Sequence, residues 1–173
     1  NSGTITGQDV ASTWTLNGAP TYSNGTHMLN LTGFANLQGG SDVDTFNVTA
    51  ASAFNLFGGV GADIFSVNAT LTGSLNGESG SDTLQGTAIN NVVLTASNAN
   101  GFSGTETDIT ANFTGINTIN GSGGTLTGRN VTSTWGLDGT PTYSDGSQTL
   151  NFTGFANLQG GTASDTFNIT AGS

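Results

Sequence analysis

Leu37-Gln-Gly-Gly-Ser-Asp-Val-Asp-Thr-Phe46, Leu56-Phe-Gly-Gly-Val-Gly-Ala-Asp-Ile-Phe65 and Leu75-Asn-Gly-Glu-Ser-Gly-Ser-Asp-Thr-Leu84 are three versions of one segment. Each opens on Leu, turns on glycine, carries an aspartate and closes on a large apolar residue. The aligned acids Asp44, Asp63 and Asp82 are spaced by 19 and 19. A fourth version is Leu158-Gln-Gly-Gly-Thr-Ala-Ser-Asp-Thr-Phe167. After each Asp the chain alternates. Phe46 and Val48 share one side, as do Phe65 with Val67 and Phe167 with Ile169, while Thr, Asn or Ser takes the other. Period-two alternation marks a strand with one buried face. A period near 20 made of short strands and Gly/Asp turns predicts an all-β fold, a parallel β-helix (β-solenoid) with coils of about 19–20 residues. Phe46, Phe65, Leu84 and Phe167 are then expected to point inward.

A longer repeat encloses the short one. Residues 3–52 align with residues 124–173 without a gap at an offset of 121, and 33 of the 50 pairs are identical. Trp14 falls on Trp135, Pro20 on Pro141 and Tyr22 on Tyr143. This divides the chain into one full unit, residues 3–123, and the start of a second, residues 124–173, continuous with it. Phe113-Thr-Gly-Ile-Asn-Thr-Ile-Asn-Gly121 resembles Phe152–Gly160 at an offset of 39, so six periods of about 20 are expected in each unit. With no leader at Asn1 and a second unit broken off early, the chain reads as a piece of a longer array. Tandem β-sandwich repeats are the alternative, because 121 residues suit a sandwich. The 19-residue echo inside the unit favours the solenoid.

Composition narrows the rest. Gly, Thr, Asn and Ser number 28, 30, 20 and 17 of the 173 residues, which disfavours helix and suits strands and turns. Such a composition also fits disorder, but disordered chains lack regular apolar spacing. One cation against a net charge of −10 argues against nucleic acid, since phosphates need lysine or arginine. No apolar run is long enough for a membrane-spanning helix. The absence of cysteine removes disulfides and thiolate metal sites, and fits long secreted bacterial proteins.

Gly58-Gly-Val-Gly-Ala-Asp-Ile-Phe-Ser66 resembles the calcium-binding nonapeptide of RTX proteins, and Gly77-Glu-Ser-Gly-Ser-Asp-Thr-Leu-Gln85 is a degraded copy. The wider pattern, Phe-Thr-Gly-Phe-Ala-Asn-Leu-Gln-Gly-Gly followed by Asp-Thr-Phe-Asn-Val-Thr-Ala, resembles giant bacterial cell-surface proteins of β-strand repeats and the filamentous-haemagglutinin type of β-helical adhesin. That resemblance implies an extracellular location and a structural or adhesive role in a fibre, biofilm matrix or cell surface. Its partners would be neighbouring repeats and copies of itself, with glycans as a further class. It also implies calcium as a cofactor the fold need not require. The candidate ligands are the carboxylates of Asp63, Asp82 and Asp44 and the turn carbonyls of Gly58, Gly59, Gly61 and Gly77. Calcium takes six to eight oxygens. The plain alternative is that each Asp caps turn N–H groups.

Catalysis finds little to work with. His27 is replaced by Gln148 in the second copy, and the counterpart of Arg129 is Gln8. A group missing from one copy cannot serve a function both share, and acid–base chemistry needs more than isolated carboxylates. The chain is read as no enzyme. Asn-x-Ser/Thr sequons, among them Asn24, Asn30, Asn47, Asn68, Asn112, Asn130, Asn151 and Asn168, are what so much Asn and Thr produces by chance. Thr-x-Thr pairs such as Thr4-Ile-Thr6 and Thr70-Leu-Thr72 do not recur once per period, as an ice-binding face requires. Trp14 and Trp135 are expected in the core rather than on a sugar-binding surface.

Overall fold

The computed structural model describes residues 2–169, and every regular element among them is a β-strand. In the first unit these are β1 (Gly3–Thr6), β2 (Ser12–Leu16), β3 (Thr21–Ser23), β4 (Met28–Asn30), β5 (Phe34–Gln38), β6 (Asp44–Val48), β7 (Asn55–Gly61), β8 (Ile64–Val67), β9 (Leu75–Gly80), β10 (Thr83–Gln85), β11 (Asn91–Asn98), β12 (Gly101–Glu106), β13 (Ile109–Ile116) and β14 (Thr118–Asn120). The second unit adds β15 (Thr125–Thr127), β16 (Ser133–Gly136), β17 (Thr142–Ser144), β18 (Thr149–Thr153), β19 (Asn157–Gln159) and β20 (Asp165–Asn168). They form two open mixed sheets. One runs β1-β5-β7-β9-β13-β12-β11-β15-β19 and the other β20-β16-β17-β18-β14-β10-β8-β6-β2-β3-β4. The chain is all-β, as its composition predicts.

The 19-residue echo is a pairing register. Leu37 lies beside Leu56 and Leu56 beside Leu75 in one sheet, and Phe46 beside Phe65 and Phe65 beside Leu84 in the other, all in parallel. Parallel strands stand about 4.8 Å apart, so like side chains stack on like. The rings of Phe46 and Phe65 lie 5.0 Å apart and nearly parallel, and Trp14 continues the column 5.6 Å from Phe46. Leu37, Leu56, Phe46, Phe65 and Leu84 are fully buried in one apolar cluster that draws on both sheets. Burying each such side chain favours folding by about 1.5–3 kcal/mol. The alternate residues face out and pair among themselves, as where Asn55 Nδ2 donates to Asn36 Oδ1 at 2.8 Å. Trp14 and Trp135 are buried as expected.

Two expectations require correction. Phe167 is 41% exposed. It stacks on Trp135 at 5.3 Å, as Phe46 stacks on Trp14, but no described strand covers its other face as β8 covers Phe46. Nor do six even periods fill the unit. Among the strands the 19-residue step holds only along β5-β7-β9 and β6-β8-β10, with the isolated bridge Ser52↔Leu71 beside them. Elsewhere antiparallel excursions lengthen it. β3 and β4 fold back after β2, β17 and β18 after β16, and β11 and β12 meander before β13. Accordingly β2 pairs in parallel with β6 from Ser12↔Asp44 onward, a step of 32 residues. The 39-residue match between Phe113 and Phe152 is not a pairing register either. Ile119 is the residue beside Phe152.

The 121-residue repeat is a repeat of structure. Trp14↔Tyr22 and Tyr22↔Leu29 in the first copy become Trp135↔Tyr143 and Tyr143↔Leu150 in the second. Trp14↔Phe46 becomes Trp135↔Phe167. Ser173, expected to continue the array, lies outside the described residues.

Candidate functional site

The aspartates of the repeated segment sit at the entry to β6, β8 and β10, where the chain leaves one sheet for the other. All three carboxylates are fully buried. Steps of 19 residues stack them, and Asp63 and Asp82 each serve the backbone of the step before. Asp63 Oδ1 accepts from the Asp44 N–H at 2.8 Å, and Asp82 Oδ1 accepts from the Asp63 N–H at 2.9 Å. Asn117 Oδ1 takes the Asp82 N–H at 2.9 Å and ends the ladder. At its other end the Ser12 hydroxyl donates to Asp44 Oδ1, and the Ser133 hydroxyl does the same to Asp165.

Glycine at the head of the segment is required by space. A Cβ on Gly58 would lie 2.4 Å from Asp63 Oδ2 and 2.6 Å from the Gly77 carbonyl oxygen. A Cβ on Gly77 would lie 2.4 Å from Asp82 Oδ2 and 2.2 Å from the Gly115 carbonyl oxygen. Each carboxylate is thus folded against the bare Cα of the glycine five residues before it. Of the seven candidate ligands, Asp44, Asp63, Asp82, Gly58 and Gly77 form this column. Gly59 and Gly61 lie further along β7, beside Glu78 and Gly80 of β9.

Electrostatics at the column are unusual. Asp63 Oδ2 and Asp82 Oδ2 are buried with no hydrogen-bond partner. Burial, with neighbouring carboxylates adding to it, pushes Asp63 up to about 6 and Asp82 up to about 7. Burial also raises Asp44, against hydrogen bonds from Ser12 and the Gly40 N–H. The one ion pair among the described residues is Arg129 with Asp145, in the second unit.

Calcium coordination needs several oxygens converging on one point. Here the Oδ1 atoms of Asp63 and Asp82 face N–H donors and their Oδ2 atoms face glycine Cα atoms, while Asp44 accepts from the Ser12 hydroxyl and the Gly40 N–H. No three His, Cys, Asp or Glu side chains among the described residues group as a metal site. The donor set suits hydrogen-bond acceptance better than it suits a cation.

Glu78, Ser12 and Asn117 belong to this region but do not stand out in the sequence. Glu78 takes the place of Gly59 one step on and holds a positive φ of 65°, a backbone strain that glycine would avoid. Its displacement of the second glycine in Leu75-Asn-Gly-Glu was the available signal. Asn117 has none, since it lies outside the repeated segment. Several sequon asparagines already serve turns: Asn68 Oδ1 accepts from the Thr87 N–H at 2.9 Å and Asn130 Oδ1 from the Thr162 N–H at 3.0 Å. His27 lies exposed on the loop between β3 and β4. Among the described residues no helix is long and apolar enough to cross a membrane. Comparison with family models, with curated proteins and with solved structures returns no match.

Proposed function

We propose that this chain is a segment of an extracellular structural or adhesive rod, wound as a β-solenoid whose antiparallel excursions thicken it at fixed places in each unit. The observation that carries the reading is the register. Like residues stack on like at 19-residue steps, and the partners present in both copies recur at 121 residues. An array of such units has a mechanical role, since backbone ladders and one continuous core hold a long body together without disulfides or ligands. The buried carboxylates belong to that architecture as caps. The absence of His27 and Arg129 from their counterpart positions supports a non-catalytic role. Surface exposure outside the cell rests on the likeness to giant bacterial surface proteins, and neighbouring units are the natural partners.

Chains of one, two and three units test the rod by solution X-ray scattering. The longest dimension is expected to grow by the same amount with each unit, at a constant cross-section. Units that behave as flexibly joined beads would overturn it. A calcium-binding module is the second reading, and the two unpartnered oxygens of Asp63 and Asp82 favour it. Under that reading millimolar calcium raises the melting temperature and Asp63→Ala abolishes the rise. Under the rod reading melting is indifferent to calcium and chelator.

A further inference from the structure

We infer that the face formed by Ile5, Tyr22 and Leu29 is the seat of a β-meander with the sequence of residues 91–120, supplied by another unit joined ahead of this one in the same polypeptide. The inference rests on the rod reading and names the contact by which successive units join. Its basis is that the chain contains this face twice, once bare and once covered.

In the second unit the face is covered. Leu126 of β15 pairs with Val92 of β11, and Phe152 of β18 pairs with Ile119 of β14. Phe102 of β12 packs edge-on against Tyr143 at 5.6 Å. Leu126, Tyr143 and Leu150 are fully buried as a result. In the first unit β1 and β4 are the outermost strands of their sheets. Ile5 and Tyr22, the counterparts of Leu126 and Tyr143, are only half-buried, and Leu29, the counterpart of Leu150, is 49% exposed. Apolar side chains have been kept where one unit leaves them in water and the other buries them.

The polar rim repeats as well. In both units a tyrosine hydroxyl accepts from the backbone, Tyr22 from the Gln8 N–H and Tyr143 from the Arg129 N–H, each at 2.9 Å. Arg129 and Asp145 reach Ser97 of β11, at 2.9 and 2.6 Å. Their counterparts Gln8 and Asn24 are joined at 2.6 Å. The two positions changed together, from an ion pair to an amide pair, and either pair can bond to a serine hydroxyl. A separate copy cannot supply the meander, because its own is already held between its own β15 and β18.

A chain with a second copy of residues 3–123 joined ahead of Gly3 tests this by hydrogen exchange and melting. The Asn151 N–H donates to the Asn117 carbonyl at 3.0 Å, and its counterpart is the Asn30 N–H on the outer edge of β4. In the downstream unit of the two-unit chain this amide is expected to exchange on the order of a hundredfold more slowly than in the single chain. Leu29→Ala in that unit is expected to lower the melting temperature of the two-unit chain and to leave that of the single chain unchanged. Equal exchange at Asn30 in both chains overturns the inference, as does an equal Leu29→Ala shift in both. Scattering on the same samples separates the two readings. A rigid two-unit rod with a fast Asn30 overturns the seat alone, whereas flexible beads overturn the rod as well.

Discussion

A buried carboxylate beside a second buried carboxylate, with no cation at hand, has an unusual pH dependence. Asp63 and Asp82, raised to about 6 and about 7, keep protons in the folded state that the unfolded chain releases from about pH 4. Their stabilisation is therefore full below about pH 4 and is lost as pH climbs through 6 and 7. Asp145 works in the opposite sense. Burial pushes it up, but hydrogen bonds from Ser97, Gln148, Ser147 and Arg129 outweigh this and hold it near 2, so its contribution fades only in stronger acid. The melting temperature is expected to be higher at pH 4.5 than at pH 8 by at least about 5 °C. Asp82→Asn should flatten that slope, because Asn117 already does the same capping with an amide. A melting temperature that falls on mild acidification would show that these carboxylates are charged in the fold. The ion pair gives a second test. Arg129→Gln copies the first unit only by half and strands the buried Asp145, at a cost of about 1–3 kcal/mol. Adding Asp145→Asn completes the copy of Gln8 and Asn24, and is expected to recover most of the loss in urea unfolding. A double variant less stable than the single one would refute the equivalence of the two pairs.

Strands that alternate cleanly were legible in the sequence, and so was the column they build. Phe46, Val48, Phe65, Val67 and Leu84 are buried because period two has one meaning in a strand and the Gly…Asp corners fixed the step. Phe65→Ala removes a ring packed inside the stack and should cost about 3–5 kcal/mol in denaturant unfolding, while Phe167→Ala, at the exposed end of its column, should cost clearly less. Equal costs would mean that the column is not a continuous core. The excursions were not legible from the 19-residue echo, because their strands carry the same Thr, Asn and Gly as the coils. Their signal was local: Asn17-Gly18 and Asn24-Gly25, repeated as Asp138-Gly139 and Asp145-Gly146, are strong hairpin dipeptides, and all four glycines hold positive φ. Read for turn type rather than for period, they place β3, β4, β17 and β18. The site divides in the same way. The motif marks the aspartates and the glycines beneath them, but the direction of each carboxylate, back toward the preceding N–H, depends on stacking that no single segment contains.

Along both sheets the contacts run mainly between neighbouring strands, so under the rod reading stability should vary with distance from the ends. β1 and β4 close one end, and β19 and β20 the other, each with a single strand neighbour. The centre, β6 through β10 and β13 with β14, has neighbours on both sides and contains Phe46, Phe65, Leu84, Phe113 and Ile119, all fully buried. A globule that unfolds in one step would protect its slowest amides to a common free energy. A stack that frays from its ends would not. Native-state hydrogen exchange is therefore expected to give a gradient, fastest in β1, β4, β19 and β20 and slowest in β8 and β10. Each unit added at one end should move the slow region toward that end. If the profile is instead flat from β1 to β20, or keeps its shape when the chain is lengthened, the molecule is a self-contained domain, and the recurrence at 121 residues marks a duplication rather than an assembly rule.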